Sequence, residues 1–355
     1  MRENLYTSSS KKTKRQRNGI ICFLIIICVL AITAPVFFHF GKLYREAAAK
    51  NTINAFTKQR FDDFYALDKD SLDMVFVGSS HCYCTFDPAV IEKYTSLSSF
   101  QMGTPLQHPD TTYFELKEIF KTQHPKYVVM EVYWDVLDDD FELKQADSFF
   151  QVLNDDELKK EYIKEVFPLS DKVKYSLSPI RFQQDYFAYA ANEMQKELES
   201  KYGVTKKTGQ VQEGEEHYAE RGYVLSTQKM LESEYNETNQ FRNFDGKDWE
   251  MAKPQKKYLE KIISLCNDEG SKLIFVTAPI ANVSIDYIKN YENINKTVSD
   301  FAKKYNIPYL DFNIVNKQEK LFTNDNFRDD AHLNHSGVEI ADKYFSKWFE
   351  NNCIN

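Results

Sequence analysis

The sequence lacks the features that would assign it at once to several large classes of protein. It has no second apolar run approaching the roughly 20 residues that span a bilayer, which excludes a polytopic transporter. It has no basic stripe, and its 45 Lys and Arg against 53 Asp and Glu give a net charge of −8, which argues against nucleic-acid binding. Its six cysteines follow neither a zinc-site spacing nor a disulfide framework. Aromatic residues are abundant at 15%, and this excludes a disordered chain.

The one long apolar run lies near the N terminus. Residues 18–41 contain no Asp, Glu, Lys or Arg, and a cluster of five basic residues precedes them. Such a cluster tends to stay cytoplasmic, so the run predicts a single-pass signal-anchor at 19–40 behind a cytoplasmic tip at 1–18. A cleaved signal peptide, a lipoprotein signal and a buried core helix fit the pattern less well. Residues 41–355 carry 39 basic and 52 acidic side chains, so the predicted external part has a net charge of −13.

Five short apolar runs predict buried strands, because strands covered on both faces of a parallel sheet are nearly continuous in apolar residues. The predicted strands are 73–77, 99–102, 127–132, 272–277 and 307–311. Helical patterns are found at 110–121, 254–269, 286–305 and 337–349. This alternation predicts a three-layer α/β/α sandwich with a mainly parallel sheet.

The organisation of the external part departs from this alternation in one place. Residues 41–70 have helical composition and are predicted to form a stalk in front of an α/β domain at 71–350. Residues 135–250, which begin with an acidic run at 138–140, do not fit the strand and helix pattern. Because no Pro-, Gly- or Ser-rich linker bounds this stretch, we interpret it as an insertion in the domain rather than a second domain.

Two short motifs contain residue types that serine enzymes need. Ser79 and Ser80 follow the first predicted strand, and open α/β sheets bind ligands at the carboxyl ends of their strands. Asp329 and His332 are three residues apart before the last helix, so a turn can direct the carboxylate at the imidazole. A serine becomes a nucleophile when a base lies within hydrogen-bond reach and has its own orienting partner. Ser80, His332 and Asp329 are the predicted triad, although each motif alone also fits a helix N-cap or a solvated loop.

The two motifs together resemble a known family. Gly78-Ser79-Ser80 and Asp329-Asp330-Ala331-His332 are similar to the first and last motif blocks of the SGNH/GDSL hydrolases. More narrowly, the chain resembles the membrane-anchored branch similar to the D-alanyl-lipoteichoic acid biosynthesis protein and to the alginate O-acetylation proteins. The resemblance covers roughly residues 70–135 and 255–350 together with the anchor, and it implies a flavodoxin-like sandwich that uses no cofactor.

The resemblance also implies roles for individual residues. Ser80 matches the nucleophile, His332 and Asp329 match its base and orienting acid, and Ser80 and Gly103 match the amides that bind the oxyanion. The third block departs from the family, because the stretch after the third strand has no Asn to complete the oxyanion site. Tyr133 is the predicted substitute donor.

Two further residues are candidates for substrate contact. His81 adjoins Ser80 and is expected to point away from it, and Glu131 at a strand end is expected to pair with a nearby cation. The acidic run at 138–140 is interpreted as a solvated face, and no metal site is predicted.

Two classes of function follow. The first is an extracytoplasmic serine acyl-enzyme, an esterase or O-acyltransferase acting on a small acyl or D-alanyl group of a cell-envelope glycopolymer. The resemblance implies an acyl donor, an envelope polymer or lipid-linked glycan, and a polytopic membrane-bound O-acyltransferase as partners. The alternative is a catalytically inactive, membrane-anchored scaffold or polymer-binding protein, which the missing Asn favours.

Overall fold

The computed structural model describes residues 16–36, 39, 55–176, 216–231 and 240–354. These residues belong to two units. The smaller unit contains the described residues 16–36, 39 and 168–176, and the larger unit contains all the others. Most of the predicted cytoplasmic tip, the first part of the predicted stalk, and residues 177–215 and 232–239 of the predicted insertion lie outside the described residues.

The elements follow one another in the order that the alternating pattern predicts. The helices are α1 (Gln16–Val36), α2 (Ala55–Tyr65), α3 (Ser80–Tyr83), α4 (Pro88–Thr95), α5 (Pro109–Ile119), α6 (Trp134–Leu137), α7 (Leu143–Val152), α8 (Asp156–Val166), α9 (Leu169–Ser176), α10 (Lys253–Asp268), α11 (Asn282–Ile285), α12 (Tyr291–Lys304), α13 (Phe312–Glu319) and α14 (His335–Cys353). The strands are β1 (Met74–Val77), β2 (Ser99–Gln101), β3 (Tyr127–Glu131), β4 (His217–Tyr218), β5 (Val224–Leu225), β6 (Lys272–Thr277) and β7 (Tyr309–Asp311).

Helix α1 of the smaller unit is long and apolar. Its 21 residues, at about 1.5 Å each, match the roughly 30 Å core of a bilayer, and its most apolar 18 consecutive residues have a mean hydropathy of 2.9. No other helix among the described residues is long and apolar enough to cross a membrane, and signal sequences at an N terminus share these properties. The apolar helix expected at 19–40 is therefore observed over residues 19–36, whereas its orientation in a membrane and its being left uncleaved stay predictions.

The larger unit is built on a five-stranded parallel sheet in the order β2-β1-β3-β6-β7. All four residues of β1 are fully buried, as a strand covered on both faces requires. The chain turns to β2 on one side of β1 and then continues from β3 on the other side. This order is the flavodoxin-like one, and its switch point, where ligands bind, lies between the carboxyl ends of β1 and β3.

Helices cover both faces of this sheet. The chain moves across the sheet in one direction from β1 to β2 and in the opposite direction from β2 to β7. Right-handed crossovers therefore place α4 on one face and α5, α10 and α12 on the other. The observed packing agrees, since α4 packs on α14 and α5 packs on α10. The predicted three-layer α/β/α sandwich with a mainly parallel sheet is thus confirmed.

Helix α2, in the second half of the predicted stalk, is packed into the larger unit. Phe61 and Phe64 are each 1% exposed, and the buried Arg60 guanidinium donates to the Gly222 carbonyl at 2.9 and 2.7 Å. The predicted stalk at 41–70 is therefore wrong from residue 55 onward, because apolar side chains of α2 contribute to the core. The folded unit begins before residue 71.

Candidate active site

The two serines after β1 have different surroundings. Ser79 is the N-cap of α3, is 1% exposed, and accepts a hydrogen bond from the His81 amide at 3.2 Å. Ser80 is the first residue of α3, and its Oγ lies 2.9 Å from Nε2 of His332, which is 252 residues away in sequence. Ser80 rather than Ser79 therefore faces the imidazole.

The loop that carries the imidazole is closed on itself. Phe327 and Leu333 form an isolated antiparallel bridge with both side chains buried, and the Arg328 amide donates to the His332 carbonyl at 3.0 Å. Within the loop, Asp329 Oδ1 accepts from the amide of His332 at 2.7 Å, and both carboxylate oxygens lie 3.0 Å from His332 Nδ1. The apolar anchors and the turn hold the carboxylate and the imidazole in one fixed arrangement.

The surroundings of Asp329 keep it ionised. Burial opposes ionisation, but His332, followed by Arg328 and the amide of Ala331, outweighs burial and holds the pKa of Asp329 well below its ordinary value. Arg328 is 8% exposed, with Nε 3.4 Å from Asp329 Oδ2 and Nη1 2.5 Å from Glu216 Oε1. Arg328 was not predicted from the sequence, although its position beside the acid was a signal. An ionised Asp329 is the form that stabilises an imidazolium at His332.

His81 lies against the imidazole, so the expectation that its side chain points away from the site is wrong. Its ring centroid is 4.1 Å from that of Tyr133 and 4.8 Å from that of His332, and it is 3% exposed. Successive residues of a helix point about 100° apart rather than to opposite sides, which brings both Ser80 and His81 to the site. Burial, and after it the neighbouring His332, lowers the pKa of His81 well below its ordinary value, so this ring is neutral.

Gly103 lies against the serine turn, but its amide is already engaged. The amide donates to Gln101 Oε1 at 2.9 Å, while Gln101 Nε2 donates to the Cys82 carbonyl at 2.9 Å. A Cβ on Gly103 would lie 2.9 Å from the Ser79 carbonyl oxygen, so glycine is needed for this close approach. As an oxyanion donor Gly103 stays a prediction, and its amide would have to leave Gln101. The Ser80 amide is at the start of a helix, where amides have no acceptor within the helix.

The two candidates at the carboxyl end of β3 occupy different positions. Tyr133 is 4% exposed, and burial, followed by the Asp135 charge, raises its pKa well above the ordinary value, so its hydroxyl stays protonated. Glu131 does not pair with a cation among the described residues. Its Oε2 instead accepts from the amide of Ser79 at 3.0 Å and from Ser79 Oγ at 2.8 Å. The predicted cation pairing is wrong, because the register of β1 and β3 brings Ser79 to this carboxyl.

The buried contacts of Ser79 lead to a stability prediction. Ser79→Ala removes the α3 cap and one of the two hydrogen bonds to the buried Glu131 carboxyl, so we expect the free energy of unfolding to fall by about 1–3 kcal/mol. Ser80→Ala is the matched control, because Ser80 is only partly buried, and its free energy of unfolding is expected to change by no more than about 0.5 kcal/mol. Denaturant unfolding monitored by circular dichroism measures both. Equal stabilities would contradict the assigned difference between the two serines.

Comparisons with known proteins return structures but no sequence relative. No family model matches the chain, and no curated protein matches it. A structure assigned to the lipolytic G-D-S-L family from Desulfitobacterium hafniense is 13% identical, with a TM-score of 0.36, covering 77% of this chain and 97% of its own. A GDSL-like lipase from Bacteroides thetaiotaomicron is 10% identical, with a TM-score of 0.38, covering 83% of this chain and 97% of its own.

Proposed function

We propose that this chain is a serine acyl-enzyme, an esterase or O-acyltransferase that uses Ser80 as nucleophile. The observation that carries the proposal is the continuous chain of contacts from Ser80 Oγ to His332 Nε2 at 2.9 Å and from His332 Nδ1 to Asp329 at 3.0 Å. The arrangement lies at the switch point of the sheet, which is where ligands of open α/β folds bind. A nucleophile, a base and an orienting acid in this order are the parts that acyl transfer requires.

The first half of the reaction forms the acyl-enzyme. His332 Nε2 accepts the proton of Ser80 while Oγ attacks the ester or thioester carbonyl carbon, which gives a tetrahedral oxyanion and an imidazolium. The Ser80 amide is the donor best placed for the oxyanion, and Asp329 stabilises the imidazolium at Nδ1. When the carbon–oxygen or carbon–sulfur bond of the leaving group breaks, the imidazolium returns its proton to that group.

The second half of the reaction releases the acyl group. His332 accepts a proton from water, or from a hydroxyl of an acceptor, while the oxygen attacks the acyl-enzyme carbonyl. The Ser80 Oγ–acyl bond then breaks and Ser80 takes the proton from the imidazolium. With water as the acceptor the enzyme is an esterase, and with a polymer hydroxyl as the acceptor it is an O-acyltransferase. The Ser80 hydroxyl, the Ser80 amide, His332 and Asp329 act in both reactions.

We extend the proposal to the cell envelope on two grounds. Helix α1 is long and apolar enough to act as a membrane anchor, and a basic cluster precedes it. The motifs resemble those of the membrane-anchored SGNH branch, whose members modify envelope polymers with small acyl or D-alanyl groups. On this proposal the domain lies outside the membrane, where an envelope polymer or lipid-linked glycan is the acceptor and a polytopic O-acyltransferase is the partner.

A covalent probe tests the proposal directly. We expect the purified full-length chain, kept in detergent, to react with a fluorophosphonate and gain the mass of one adduct per chain. Peptide mapping should place that adduct on Ser80, because its Oγ is activated by His332 and is not buried like that of Ser79. Intact-protein mass spectrometry measures the reaction.

The outcome separates the two classes of function. The Ser79→Ala variant should still form the adduct, whereas Ser80→Ala should not. A wild-type chain that is folded, as circular dichroism would show, but gains no adduct would contradict the enzyme and favour the inactive scaffold. The engaged amide of Gly103 is the observation that favours that second class.

A further inference from the structure

A buried carboxyl lies directly beneath the turn that carries the candidate nucleophile. Glu131 is the last residue of β3 and is 3% exposed. Its Oε2 accepts two hydrogen bonds from Ser79, from the amide at 3.0 Å and from the hydroxyl at 2.8 Å. Val77 pairs with Met130 in the sheet, and the residues that follow them, Gly78 and Glu131, lie side by side.

The turn fits this carboxyl closely. Gly78 has a φ of +144°, a conformation that glycine adopts readily and other residues rarely do. A Cβ at this position would lie 2.7 Å from Glu131 Cβ and 3.0 Å from Oε2, so even the smallest side chain would push the turn off the carboxyl. The contact therefore depends on three features of the chain: glycine at 78, a hydroxyl at 79 and a carboxyl at 131.

The groups around the Glu131 carboxyl do not balance its negative charge. Cys82 and Tyr133 interact electrostatically with Glu131. Among the described residues no Lys or Arg side chain lowers its pKa. Burial raises the pKa of Glu131 to about 7, against the lowering effect of the two Ser79 bonds. Oε1 is buried without a hydrogen-bond partner, so the neutral acid can hold its proton there while Oε2 keeps both bonds.

We propose that Glu131 is a positioning residue that fixes the Ser79 turn and thereby keeps Ser80 Oγ at hydrogen-bond distance from His332. The inference rests on the proposed serine chemistry and replaces substrate contact as the role of Glu131. Ser79 adjoins the nucleophile, so a rotation of its peptide group moves Ser80 directly. Misplacing a reacting atom by about 1 Å costs on the order of 10²-fold in rate.

The test compares two substitutions of the same residue. In the full-length chain we expect Glu131→Ala to lower the second-order rate constant of fluorophosphonate labelling about 10²-fold. Glu131→Gln should label close to the wild-type rate, because its amide oxygen can accept both Ser79 bonds while its NH2 group takes the place of Oε1. Adding Ser79→Ala to Glu131→Ala should cause little further loss, since partners that act as a unit are not additive.

Glu115 supplies a matched control for lost stability. It is fully buried and its pKa is raised by burial to about 8, but its Oε2 accepts from Gln107 Nε2 at 2.6 Å rather than from the serine turn. Glu115→Ala should lower the denaturation midpoint and leave the labelling rate near that of the wild type. Equal labelling rates for Glu131→Ala and Glu115→Ala would overturn the inference.

A second readout does not depend on activity. Hydrogen exchange followed by mass spectrometry on peptides covering residues 74–83 should show faster exchange at the Ser79 amide in Glu131→Ala, and no change in Glu131→Gln. Unchanged exchange in Glu131→Ala would also overturn the inference. If the wild-type chain is not labelled by the fluorophosphonate, only the proposed function is contradicted. Amide exchange would still show whether Glu131 holds the turn.

Discussion

Replacing Ser80 by alanine is expected to reduce kcat for hydrolysis of p-nitrophenyl acetate on the order of 10⁶-fold, the loss that follows when the nucleophile of a serine triad is removed. The physical reason is that no acyl-enzyme can form, since the Oγ that lies 2.9 Å from His332 Nε2 is the atom that attacks. Release of p-nitrophenolate, corrected for the rate without protein, measures kcat. The same samples should show no initial burst of product.

Two controls make this result specific. Ser79→Ala should retain measurable turnover, because Ser79 Oγ is bonded to Glu131 and lies away from the imidazole. His332→Ala should lose about as much as Ser80→Ala, since the members of a triad act as a unit. Wild-type turnover in Ser80→Ala would dismiss the triad and the mechanism with it.

Changing Asp329 to asparagine is expected to lower kcat by about 10⁴-fold while leaving the fold intact. The amide oxygen of the new side chain can still accept the backbone amides of Ala331 and His332, which Oδ1 of Asp329 accepts at 2.8 and 2.7 Å. Its NH2 group would then face His332 Nδ1 and favour the tautomer that carries its proton on Nε2. That tautomer cannot accept the Ser80 proton, and a neutral amide cannot stabilise an imidazolium.

Asp330 is the matched control for this prediction. It adjoins Asp329, and its Oδ1 accepts from Gln240 Nε2 at 3.1 Å rather than from the imidazole. Asp330→Asn should therefore change kcat only slightly in the same p-nitrophenyl acetate assay. A large loss in Asp330→Asn with a small loss in Asp329→Asn would show that the orienting acid has been assigned to the wrong residue.

The sheet could be predicted from the sequence because its signals are local. A strand buried on both faces needs a continuous apolar run, and β6 is observed at Lys272–Thr277, where that run predicts it. Helix α14 likewise extends over its predicted core at 337–349, because its apolar residues recur at helical spacing. The short helix α4 was missed, although Asp87 before Pro88 is an N-cap followed by proline at the first helical position.

The candidate triad was also accessible to sequence reasoning. Ser80 follows a strand, and Asp329 and His332 precede a helix, so their positions at the ends of elements restricted where they could lie. Parallel strands bring their carboxyl ends to one edge of the sheet, and the last helix returns to that sheet. The sequence alone therefore determined the α/β class, the apolar N-terminal helix and the three residues on which the proposed chemistry depends.

Only the tertiary structure decided how the polar groups beside the predicted triad pair. It directs Ser79 to Glu131 and joins Gln101 to the Cys82 carbonyl and the Gly103 amide. The strands and helices are specified by residues close together in the chain, whereas these partners are set by where distant segments meet. Ser79 and Glu131 are 52 residues apart, and their contact depends on the register of β1 against β3. The donor–acceptor distance of a hydrogen bond can vary by only a few tenths of an ångström, so the two groups must be placed with that accuracy. The packing of the whole core determines where they lie.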